Sequence, residues 1–97
     1  MTEQDQGEPY DVKLATSVSR AISETLPESV AWAALGLING PLLANPYRVG
    51  APLEDELAGK YGARIGPEYR LVYRIDDEQR IVEVLRIGRR ADVYGIS

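Results

Sequence analysis

Apolar positions along this chain recur first with a period of two, then with a helical period, then with a period of two again. In "YDVKLA" (10–15), Tyr10, Val12 and Leu14 alternate with their neighbours, which predicts a strand. In "TSVSRAISETL" the residues Val18, Ala21, Ile22 and Leu26 share one helical face, with Thr16 placed as N-cap. Pro27 then opens a second helix over 28–38, where Val30, Ala33, Ala34, Leu37 and Ile38 form a wide apolar stripe and Asn39-Gly40-Pro41 supplies the stop. Trp32 and the apolar run after it are expected in the core.

Residues 41–53 form a Pro- and Gly-rich connection, and a strand is expected after Gly59. "EYRLVYRI" (68–75) alternates Tyr69, Leu71, Tyr73 and Ile75 with Arg70, Val72 and Arg74. "DDEQ" is a polar turn and "RIVEVLRIG" (80–88) the partner strand, so the two make a hairpin. The order β-α-α-β-β-β is α+β: a helical hairpin packed on one face of a small, mostly antiparallel sheet. Ninety-seven residues suffice for one core, assigned to 9–97, with residues 1–8 a polar, disordered tail.

Composition narrows the chemistry. The chain has no Cys and no His, which removes disulfides, thiolate chemistry and the commonest general base and metal ligand. Catalysis here falls to Arg, Lys, Tyr, Asp or Glu, and no cofactor is expected. No apolar run of about 18 residues and no basic-then-apolar leader is present, so a cytoplasmic location without membrane contact is expected.

The net charge is −4, yet it is unevenly spread. Residues 1–30 carry six acids and two bases, 31–59 three acids and one base, and 60–97 eight bases and six acids. This asymmetry fits an anion-binding face on an acidic body, and equally a solvated, mixed-charge sheet.

Three segments carry candidate chemistry. In "ARIGPEYRLVY", Arg70 and Arg74 point away from the core face, and Arg64 precedes the turn. They are phosphate contacts or plain solvated positions. In "RIGRRADVYG", Arg89 and Arg90 follow a strand end and Tyr94 lies four residues beyond Arg90. Neighbouring guanidiniums would favour the phenolate and make Tyr94 a general base; otherwise it anchors the C-terminus. In "GAPLEDELAGKY", three consecutive acids lack the spacing of a metal site and read as a solvated turn.

"RIGPEYRLVYRID", "LRIGRRADVYG" and "NPYRVGAPLEDELAGKY" together resemble signature segments of the RelE/ParE toxin superfamily, in its RelE-like branch, across about residues 9–95. The resemblance implies the toxin half of a type II toxin–antitoxin pair. It further implies metal-independent, ribosome-dependent cleavage of messenger RNA in the ribosomal A site, which inhibits translation. By match to the motifs, Arg70, Arg90 and Tyr94 would be catalytic, with Arg64, Lys60, Arg89 and Arg74 binding substrate. Lys60 stands alone where the family carries two lysines, and Arg89 where it often has His. A cognate antitoxin is the implied protein partner; direct DNA binding is not expected, and a homodimer is left open. Two alternatives stay in view: the low basicity and single lysine fit an attenuated protein acting by antitoxin binding, and the shared strand signature fits a ParE-like inhibitor of DNA gyrase.

Overall fold

A computed structural model describes residues 8–93. The expectations for residues 1–7, and for Tyr94 and the residues after it, lie outside the described residues. The first strand, β1, is Asp11–Leu14, followed by helix α1, Thr16–Arg20, which runs on as a π-helical turn through Ala21–Thr25. Thr16 is the first helical residue; Ala15 holds the cap position and provides no side-chain bond, so Thr16 does not cap. Helix α2 spans Glu28–Ile38 and stops at Asn39, as the sequence predicts.

The connection after it is more structured than its Pro and Gly content suggests. It contains two short helices, α3 (Pro41–Ala44) and α4 (Pro46–Val49), and an edge strand β2 (Ala51–Pro52). Pro stands at the first helical position of both helices, where its missing N–H costs nothing. Three strands then form the body of the sheet: β3 (Tyr61–Ile65), β4 (Tyr69–Asp76) and β5 (Ile81–Arg89). A last helix, α5 (Arg90–Val93), follows β5 directly.

The sheet has five strands in the order β1-β5-β4-β3-β2. β1 runs parallel to β5 and all other pairs are antiparallel. α1 and α2 pack on one face, over Val18, Ala34, Ile38, Leu42, Leu71, Tyr73, Val82 and Val84. Trp32 is not in this core: it is 67 % exposed, because two residues beyond Val30 the helix has turned it to the opposite side. Tyr73 sets the depth of the α3–β2 connection. Its hydroxyl donates to the Pro46 carbonyl (2.5 Å) and accepts from the Gly50 N–H (3.0 Å). A Cβ at Gly50 would stand 2.5 Å from the Gly62 carbonyl oxygen, so only glycine lets the chain pass there.

The other face of the sheet is left to the arginines by one irregularity. Val72 pairs with Arg86, yet the next residue, Tyr73, pairs with Val84. Leu85 is therefore the extra residue of a β-bulge in β5. Strict alternation from Val82 and Val84 would carry Arg86 into the core; the bulge resets the phase and turns it to the open face instead.

Candidate functional site

Cross-strand partners share a face, so the pairing places each charged residue. Arg64 lies directly opposite Arg70, Arg70 opposite Gly88, Val72 opposite Arg86, and Arg74 opposite Glu83. The open face thus carries Arg64, Arg70 and Arg86 around Val72. Gly88 keeps its centre low, and α5 folds onto it: a Cβ at Gly88 would come within 3.2 Å of Val93 Cγ1. Val72 and Val93 are buried here, apart from the main core cluster.

The arginines are held differently. Arg70 is only 9 % exposed. Its Nη1 donates to the Tyr69 carbonyl at 2.9 Å and to the Pro67 carbonyl at 3.5 Å. Its other nitrogens make no hydrogen bond among the described residues. Gly66, at φ +66°, turns the chain so that these carbonyls face back toward it. The Glu68 carbonyl accepts the Arg90 N–H at 3.0 Å, so the β3–β4 turn also fixes the start of α5. Arg64 is exposed. Two guanidiniums opposed across a ladder repel, and an anion between them removes the cost.

Not every residue singled out in the sequence reaches this cluster. Arg74 shares the face but is ion-paired with Glu83, which neutralises it. Lys60 precedes β3, four residues from Arg64, or about 13 Å along an extended chain. Arg89 pairs with Tyr69 and so projects on the helix-covered side. There its guanidinium lies 5.7 Å from the Tyr69 ring and 3.4 Å from the Glu68 carboxylate. Arg90 opens α5 and is exposed. Tyr94 is the residue after the described ones. Arg86 was not singled out in the sequence, because the bulge that exposes it leaves no mark in the apolar pattern. The acids Glu54, Asp55 and Glu56 form no cluster suited to a metal ion among the described residues.

A second charged cluster sits beyond the opposite end of β4. Asp77 accepts hydrogen bonds from the hydroxyls of Tyr10 and Tyr47. Arg80 lies over the Tyr10 ring, 4.2 Å from its centroid. The hydrogen bond to Asp77, with some burial, pushes the Tyr47 hydroxyl up to about 12, and the same cause raises Tyr10. In return the Tyr10 and Tyr47 hydroxyls lower the Asp77 carboxyl.

Comparisons with known proteins agree with this architecture. The family model described as ParE toxin of type II toxin–antitoxin system, parDE, matches residues 20–94. Toxin RelE of Mycobacterium tuberculosis is 43% identical over 89 residues, spanning 92% of this chain and 90% of that protein. Toxin RelG of the same organism is 45% identical over 86 residues, spanning 89% and 97%. Among solved structures, the toxin–antitoxin complex RelBE2 from M. tuberculosis superposes with a TM-score of 0.75 at 43% identity, over 84% of this chain and 99% of that one. The free-state structure of an E. coli RelE mutant, at 22% identity and a TM-score of 0.68, shares the fold over 88% of this chain and 86% of its own. The chain belongs to the RelE/ParE superfamily and is a toxin of the type II toxin–antitoxin class.

Proposed function

We propose that this toxin is a metal-independent, ribosome-dependent endoribonuclease that cuts messenger RNA in the ribosomal A site. The observation that carries the reading is the direct opposition of Arg64 and Arg70 on an open sheet face. That arrangement destabilises the free protein and suits a bound phosphodiester. Arg70 holds the scissile phosphate through the nitrogens its turn carbonyls leave free and stabilises the charge that develops there. The ribose 2′-oxygen attacks phosphorus, the P–O5′ bond breaks, and a 2′,3′-cyclic phosphate and a 5′-hydroxyl result. Tyr94 takes the 2′-OH proton, and Arg90 stabilises the phosphorane or returns a proton to the leaving oxygen. Arg64, with Lys60 further along the sheet, contacts the backbone of the message, Arg89 works from the rim, and Arg74 joins them only on releasing Glu83.

The chain's partner in the resting cell is its antitoxin, and the toxin–antitoxin complex RelBE2 is a solved parallel. An antitoxin segment that brings carboxylates matches the exposed arginines of the open face. The net charge of −4 favours the second reading, an attenuated toxin that acts mainly through that complex.

Induced expression tests both, comparing growth for the native chain and the Arg90→Ala/Tyr94→Phe double variant, with primer extension on a reporter message. Arrest with in-frame cuts, both lost in the variant, supports the nuclease. Arrest with intact message sinks it and points to gyrase or another target. A folded protein that never arrests growth leaves the antitoxin-binding reading.

A further inference from the structure

We propose that Arg86 is a positioning residue: it grips the last described carbonyl of α5 and so fixes the peptide that joins Val93 to Tyr94. This rests on the nuclease reading for its functional meaning, though not for its geometry. Three observations carry it. The bulge at Leu85 brings Arg86 to the face that α5 covers, beside Val72 rather than in the core. Its Nη1 donates to the Val93 carbonyl at 3.0 Å. That carbonyl carbon is bonded to the nitrogen of Tyr94, so the grip fixes the peptide plane that leads into it.

The helix needs such a hold. Within the described residues α5 is a single turn, and a single turn is not stable in water by itself. α5 is tied at its start by the Arg90 N–H to the Glu68 carbonyl, and on its inner side by Val93 against Gly88. Arg86 supplies the third tie, at the end nearest Tyr94. An arginine suits this carbonyl, because its guanidinium presents several N–H donors in a fixed fork.

The test uses the full chain with Arg86→Met, which keeps the stem and loses the donors, and Arg86→Lys, which keeps one cationic donor. In hydrogen exchange, Arg86→Met speeds the amides of residues 90–93 by about tenfold or more, the scale of a lost charged hydrogen bond, with β3 to β5 unchanged. Arg86→Lys recovers part of the protection. In message cleavage on ribosomes, Arg86→Met lowers the saturated rate without shifting half-saturation, and adds no further loss in a Tyr94→Phe background.

Unchanged exchange in 90–93 overturns the proposal, as does faster exchange spread equally through β4 and β5. Weaker half-saturation with a loss that multiplies that of Tyr94→Phe also overturns it, and makes Arg86 a direct contact to the message. If the native chain cuts no message, the nuclease reading fails by itself, and the exchange data still decide whether Arg86 holds α5.

Discussion

At one end of β4, Arg70 faces Arg64 across the ladder, and its fork is turned onto carbonyls of its own turn. About 23 Å away, seven residues at ~3.3 Å each, Asp77 receives the hydroxyls of Tyr10 and Tyr47. Both places put charge on a small sheet, and they solve it in opposite ways. The Asp77 end is closed: its carboxylate is matched by two neutral donors with Arg80 beside them, and through Tyr47, Tyr61 and Tyr73 the aromatic rings run from that surface into the core. The Arg70 end is open: like charges are opposed, and among the described residues no carboxylate pairs with either of them. The first arrangement is what stability alone favours. The second costs stability and suits an anion, and that contrast is why the proposed site lies on the arginine face rather than at the Tyr–Asp cluster.

Breaking the contrast at its stronger side has the largest expected effect. Arg70→Ala should lower message cleavage by about 10²–10³-fold, the usual loss when one donor to a developing anionic charge is removed. Its stability should change little, because the loss of two bonds to turn carbonyls is offset by relief of the repulsion with Arg64. Single-turnover cleavage and urea unfolding of the same preparation check both halves. Full activity with a large loss of stability would invert the assignment and make Arg70 a structural tie.

The next effect is on stability only. Tyr73→Phe leaves the Pro46 carbonyl and the Gly50 N–H without their buried partner. It should cost about 2 kcal/mol by urea unfolding and leave cleavage unchanged. A matching loss of activity would show that the two ends are coupled through β4.

The difference between the two ends also explains what was legible in the sequence. The β-α-α-β-β-β order was readable because Leu71, Tyr73, Val82 and Val84 alternate cleanly and Val30, Ala34, Leu37 and Ile38 keep helical spacing. Trp32 was misread since its size suggested core, while its spacing put it on the far side of α2. The arginine face was readable at Arg64 and Arg70, where register and alternation agree. It was not readable at Arg86 or Arg89. A bulge adds one residue without altering local preference, and it decides on which face every later side chain of β5 falls. The Tyr10–Tyr47–Asp77 cluster was invisible for another reason: its members are 67 and 30 residues apart and meet only when β1, α4 and the β4–β5 turn converge.

The smallest expected effect lies in pH, and it tests the closed end alone. The hydroxyls of Tyr10 and then Tyr47 hold the Asp77 carboxyl below its ordinary value of 3.8. A group with a lowered folded value contributes stability above its unfolded value and loses it as pH falls through the folded one. Its contribution should therefore be intact at neutral pH and fade on acidification below about pH 4, near the unfolded carboxylate range. Asp77 is exposed, so the contribution is screened by solvent and small. Tyr47 works in the other direction: its hydroxyl, raised to about 12, contributes below 10.0 and loses that contribution as pH climbs toward 12. Thermal unfolding of the native chain and Asp77→Asn, followed from pH 3 to 7 and again from pH 9 to 12, separates the two limbs. Asp77→Asn should flatten the acid limb and weaken the alkaline one, since Tyr47 loses the carboxylate that holds its proton. If both limbs keep their native slope, Asp77 does not gather the two hydroxyls in solution, and the closed end of the comparison falls while the arginine face stands unaffected.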